Sequence, residues 1–198
     1  LSFNSFLPKD LPPGISDKLI DKWIQRLESN PEFHDKVEFD VAITCFSFDI
    51  DNKIKTLIGD ALNISEKNIF KKLITKLTIN LVEGKGAGSI EKAMEKVDSL
   101  DRINKNTKWS ESTDNLSNLF TMIDNCINLG TIPFSILARH GFIGRSILLS
   151  LQSEGVISEL EVDEIQASVE TVASELVNDM RSFQTGEISE KDFMNRYG

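Results

Sequence analysis

The sequence predicts a mainly helical α+β domain with one or a few strands near its N-terminal third. Three observations carry this. Four of the five prolines, Pro8, Pro12, Pro13 and Pro31, lie at the start, which leaves the rest of the chain free to be regular. One stretch, Val37 to Cys45, alternates apolar and polar residues. From Ser65 onward the apolar residues recur at helical spacing.

In order along the chain, residues 1–14, with three of those prolines, read as a linker or arm, and residues 15–198 as a single mostly helical domain. Ile15, Leu19, Ile20, Trp23, Ile24 and Leu27 follow helical spacing behind the cap candidate Ser16, and Asn30-Pro31 ends the run. In KVEFDVAITCFSFD, Val37, Phe39, Val41, Ile43 and Cys45 alternate with Glu38, Asp40, Ala42 and Thr44, as in a strand with one buried face. A lone strand cannot pair its own backbone groups, so it requires a partner from the arm or from a further part of a parent protein. Gly84, Gly130 and Gly155 each follow a periodic run and suit the left-handed turn that closes a helix. Starts are marked by Pro133, by a capping box of Ser158 with Glu161, and by a weaker pair, Ser189 with Asp192. After Ser158, the stripe Val162, Ile165, Val169, Val172, Leu176 and Met180 predicts one amphipathic helix.

Charge excludes one class of partner. A formal charge of -9 opposes a sequence-independent grip on nucleic acid, which depends on Lys and Arg displacing counterions from phosphates. Cys45 and Cys126 are too far apart for a zinc or redox motif and read as buried reduced thiols of a cytoplasmic protein. No metal site is expected. The N-terminus has neither a signal-peptide pattern nor an initiator Met, so an excised piece of a longer chain is expected. The apolar run from Pro133 to Leu151 approaches bilayer length, but its basic residues cost about 2.5 to 3.5 kcal/mol each at a bilayer centre, so no membrane is expected.

Two motifs look catalytic and fail on context. EGKGAGS, residues 83 to 89, resembles a phosphate loop, yet it follows a helical run where a strand is required and reads as a hinge between helices. LARHGF, residues 137 to 142, resembles the Arg-His-Gly signature of histidine phosphatases, but no second His follows and the setting is helical. No catalytic residue is assigned. The basic cluster in TIPFSILARHGFIGR remains. On a helix from Pro133, Phe134, Leu137, Gly141, Gly144 and Leu148 share a face on which the glycines would let another backbone close, while Ser135, Arg139, Phe142 and Ser146 line the next. Arg139 and Arg145 either meet an anion or pair with acidic neighbours such as Asp124 or Glu154, with His140 a satisfied core residue.

Three stretches together, KVEFDVAITCFSFD, GTIPFSILARHGFIGRSILLSL and the terminal EKDFMNRYG, resemble the middle helical region of phosphotransferases related to phosphoenolpyruvate synthase and pyruvate phosphate dikinase. The resemblance is to the sub-group of capsule biosynthesis that includes L-glutamine kinases. It implies a parent enzyme with an ATP-grasp domain and a phosphohistidine domain as partners of this region, ATP and Mg2+ as parent cofactors, and a small-molecule phosphoryl acceptor such as L-glutamine. It implies that this fragment, with neither the nucleotide loop nor the phosphohistidine motif, is not catalytic alone and binds no cofactor itself. Arg139, His140 and Arg145, with Thr131 and Ser135, would then bind the acceptor substrate. The alternative is a structural helical spacer that only positions the catalytic domains.

Overall fold

The structure, a computed structural model, describes residues 3–84, 89–106, 115–169 and 171–198. It is 81% helical, and among the described residues there is no strand or sheet. The α+β expectation is therefore corrected: the fold is all-α. The EGKGAGS motif falls mostly on residues 85–88, outside the described residues.

Two compact units divide the chain, Leu1–Glu154 and Gly155–Gly198. In the first, a short 3-10 turn at Phe3–Phe6 precedes α1 (Pro13–Ser29), which starts on its own proline and ends at Asn30. Ser16 does not cap this helix; its hydroxyl donates back to the Pro12 carbonyl. Helix α2 (Ile50–Lys53) runs into a π turn at Ile54–Ile58, and α3 (Ile64–Val82) begins with a capping box of Asn63 and Glu66. These elements and the arm build the core. Trp23, Leu19, Ile58, Phe70 and Ile74 are fully buried, with Phe3 and Leu11 of the arm sealed against the same cluster.

Where a strand was expected, Val37–Val41 forms a π turn and an extended segment follows from Ala42. Val37 and Val41 are both buried, and positions four apart share a face in a helical turn as well as in a strand. The run that follows does not alternate: Ala42, Ile43, Thr44 and Cys45 are all buried. No neighbouring strand pairs with it among the described residues. Side chains from two helices do so instead. Phe46 N–H donates to Thr78 Oγ1 at 2.8 Å, and Phe48 N–H donates to Ser150 Oγ at 3.0 Å. Each hydroxyl passes its own proton to a carbonyl of its own helix, Ile74 for Thr78 and Ile147 for Ser150. The backbone pairing that a sheet would supply is supplied by polar side chains on buried helix faces.

Thr78→Val, nearly the same shape without the acceptor, is therefore expected to cost about 1 to 3 kcal/mol, the penalty for an unpaired buried donor. Amide exchange at Phe46 should accelerate; unchanged protection there would show that the hydroxyl is not its partner.

Helix α4 (Ile90–Asn106) packs along α6 (Ile132–Ser153) and the π turn before it. Gly130 does not end a helix. Helix α5 (Asn115–Asn125) continues through a π turn at Cys126–Thr131 into α6. Pro133 explains the wide turn. It has no N–H to give, and its ring would crowd the carbonyl four residues back, so opening the preceding turn relieves the clash. Gly84 and Gly155, at φ 65° and 71°, do close α3 and α6 as expected.

The second unit holds α7 (Glu159–Ser168), α8 (Val172–Thr185) and α9 (Glu190–Tyr197). The Ser158 capping box and the Ser189 cap are present. The single helix expected after Ser158 is broken at Val169, because Thr171 with Ser174 makes a second capping box and starts α8.

Candidate functional site

Helix α6 buries an unexpected side. Pro133, Ile143, Ser146 and Ser150 are buried on it, with Ile136, Arg139, His140 and Ile147 half-buried. The close approach expected at the glycines is absent: Phe134 is 69% exposed and a Cβ at Gly141 or Gly144 would meet nothing within 4 Å, although Leu137 and Leu148 of the same face are half-buried. The polar residues turn inward because the extended segment beneath them offers backbone groups that need partners.

Arg139 is the central case. Its Nη1 donates to the Ser5 carbonyl at 3.2 Å and its Nη2 to the Thr44 carbonyl at 3.3 Å. Its Nε is buried without a partner. Among the described residues it has no carboxylate within 4.0 Å, so neither Asp124 nor Glu154 pairs with it. Burial lowers the pKa of the guanidinium from its usual value, opposed by the electrostatic influence of Cys45. A guanidinium has five N–H donors, and two carbonyls leave some of them unassigned.

Thr131, Ser135 and Arg139, four apart on the π turn and α6, line one crevice of about 320 Å³ with Leu81, Ile132 and Ile136. The Ser135 hydroxyl donates back to the Thr131 carbonyl at 2.8 Å, one turn earlier along the chain. The structure thus brings three of the five expected site residues together.

It places the other two elsewhere. The ring nitrogens of His140 lie 2.8 Å from the Ile136 carbonyl and 3.1 Å from the Leu81 carbonyl. The second contact puts the ring at the C-terminal end of α3, where exposed carbonyls favour a donor. His140 lines a separate cleft with Glu83, Ser89 and Glu91. Arg145 lies 5.3 Å over the Phe39 ring, which meets Phe142 edge-on, so this arginine is an exposed cation–π partner.

Arg139 also lines a second cleft, of about 410 Å³, between the arm and α3, with Ser5, Lys9, Asp10, Lys76 and Asn80 among its other walls. Sequence reasoning missed these residues. Only Lys76 and Asn80, one turn apart on α3, left any signal.

The two cysteines differ: Cys45 is buried, but Cys126, in the π turn, is exposed, which corrects the expectation for the latter. No group of three or more His, Cys, Asp or Glu that could hold a metal ion is found among the described residues. None of the helices there is long and apolar enough to cross a membrane. In the terminal EKDFMNRYG motif, Arg196 and Tyr197 of α9 both donate to Asp179 of α8, and Arg196 chiefly holds that carboxyl below its usual pKa. Comparison of the chain with protein families, curated proteins and solved structures finds no match.

Proposed function

We propose that this chain is the acceptor-holding central domain of a dikinase-like phosphotransferase, with the acceptor seated in the crevice of Thr131, Ser135 and Arg139. The observation that carries the reading is a half-buried guanidinium with no carboxylate partner among the described residues, beside two residues with hydroxyls at an open crevice. A desolvated cation of this kind favours an anionic group, and its planar fork suits the paired oxygens of a carboxylate or a phosphoryl group. The parent-enzyme context rests on the sequence resemblance. In that context ATP and Mg2+ belong to the ATP-grasp domain, the phosphohistidine domain carries the phosphoryl group, and L-glutamine or another small molecule accepts it.

One observation favours a second reading, the structural spacer: Nη1 and Nη2 already hold the Ser5 and Thr44 carbonyls, tying the arm and the extended segment to α6. Titrating the chain with L-glutamine separates the two. Acceptor binding predicts saturable amide shifts centred on Thr131, Ser135 and Ile136. It also predicts about a ten-fold loss of affinity in the Thr131→Val/Ser135→Ala variant, equivalent to about 1.4 kcal/mol. No saturable shift with L-glutamine in the unmodified chain would remove L-glutamine as the acceptor and favour the spacer.

A further inference from the structure

The cleft between the arm and α3 has a chemistry of its own. Three elements each contribute one cation to its walls: Lys9 from the arm, Lys76 from α3 and Arg139 from α6. One carboxylate, Asp10, lies among them and approaches Lys76 at 3.7 Å, a loose pair in which both side chains are mostly exposed. The walls therefore carry a formal charge of two positive units, in a chain whose overall formal charge is -9. That local excess runs against the composition.

We propose that this cleft binds a phosphate monoester, with the dianionic phosphate held by Lys9, Lys76 and Arg139 and the esterified body lying along Leu73 and Leu77. Charge selects the headgroup. A phosphate monoester carries about -1.5 to -2 at neutral pH, which matches the two positive units, whereas one carboxylate would leave one uncompensated. Size selects a small molecule, since about 410 Å³ lies within the range of about 300 to 1,000 Å³ common for such sites. Leu7, Leu73, Leu77 and Leu81 give the cleft apolar walls beyond the charged groups, and Asn80 adds a neutral amide. The bound anion would also supply the counter-charge that Arg139 lacks among the described residues. It would tie the arm to α3 and α6, which the Arg139 contact with the Ser5 carbonyl already begins.

The inference shares Arg139 with the Thr131–Ser135 crevice but turns on Lys9 and Lys76, which that crevice lacks, so it stands without the phosphotransferase reading. Titrations of the chain with glucose 6-phosphate, inorganic phosphate, glucose and acetate, followed by amide shifts, test it. Glucose 6-phosphate should saturate, shifting Lys9, Lys76 and Asn80, with affinity at least ten-fold above that of acetate and above that of glucose. In Lys9→Glu/Lys76→Glu its affinity should fall at least ten-fold. Melting should stay close to that of the unmodified chain, because both lysines are exposed. Arg139→Lys, which keeps the charge, should retain more affinity than Arg139→Met. Inorganic phosphate binding as tightly as the ester would overturn the monoester assignment in favour of a free-ion site. Equal binding of acetate, undiminished binding by the double variant, or no saturation with any phosphate would overturn the proposal.

Discussion

Arg139→Met is expected to lower the melting temperature of the Leu1–Glu154 unit by about 4 to 8 °C, corresponding to a loss of about 2 kcal/mol. Two terms oppose each other. Losing the donor leaves the Thr44 carbonyl in a buried segment without its partner, at about 1 to 3 kcal/mol, and the Ser5 contact adds less because it faces solvent. Against this, methionine keeps the apolar stem and relieves the desolvation of a charge that has no carboxylate beside it, a change that is neutral or favourable at many buried sites. The first term wins because the side chain is only half-buried, so the relief is small. Amide exchange around Ser5 should rise as the arm loosens. If the variant instead melts at or above the unmodified temperature, the guanidinium costs the fold stability, and a structural role is untenable.

Trp23→Ala should be the most damaging single change, at about 3 to 5 kcal/mol. The side chain is 0% exposed, and its ring packs 5.9 Å from that of Phe3, so alanine opens a cavity at the place where the arm meets α1. A domain stable by about 5 to 15 kcal/mol loses a fifth or more of its margin. Trp23→Phe should be far milder. It removes an indole N–H that is buried without a partner, which partly offsets the smaller cavity. Chemical denaturation of both variants checks the contrast, and equal losses would show that the indole N–H has a partner and is not a penalty.

Features decided within a few residues were legible in the sequence. The Ser158 and Ser189 caps, the stop at Asn30 and the closing glycines Gly84 and Gly155 depend on neighbours along the chain, and the fold shows each of them. The Val37–Cys45 stretch misled because periods of two and of about four coincide at Val37 and Val41. Ala42 and Ile43 are buried in the cluster that the arm, α1, α2 and α3 build, and Thr44 is met by Arg139 of α6, neighbours that no local window contains. Gly130 looked like a stop because a glycine after a periodic run suits a helix end, whereas Pro133, three residues later, widens the turn without ending the helix. As for the site, helical spacing joined Ser135 with Arg139 and the family resemblance added Thr131, and these three do share a crevice. It could not show that Arg139 answers backbone carbonyls rather than carboxylates. Nor could it show that Lys9 and Lys76 come to lie beside it, because those neighbours are set by how the arm, α3 and α6 meet.

The inlaid segment around Thr44 to Phe48 also constrains the order of assembly. Its contacts reach 32 residues to Thr78 and 102 residues from Phe48 to Ser150, while the Arg139 contacts reach back 95 residues to Thr44 and 134 to Ser5. Each doubling of a closed loop adds only about 0.6 kcal/mol of closure entropy, so the native state tolerates these spans easily. Their effect is kinetic. The Trp23 cluster can form from the N-terminal portion of the chain, but the segment can lock only after α6 arrives, so the last contacts made are those that create both Arg139 clefts. A chain emerging during synthesis would hold its apolar core well before it had anywhere to put a ligand.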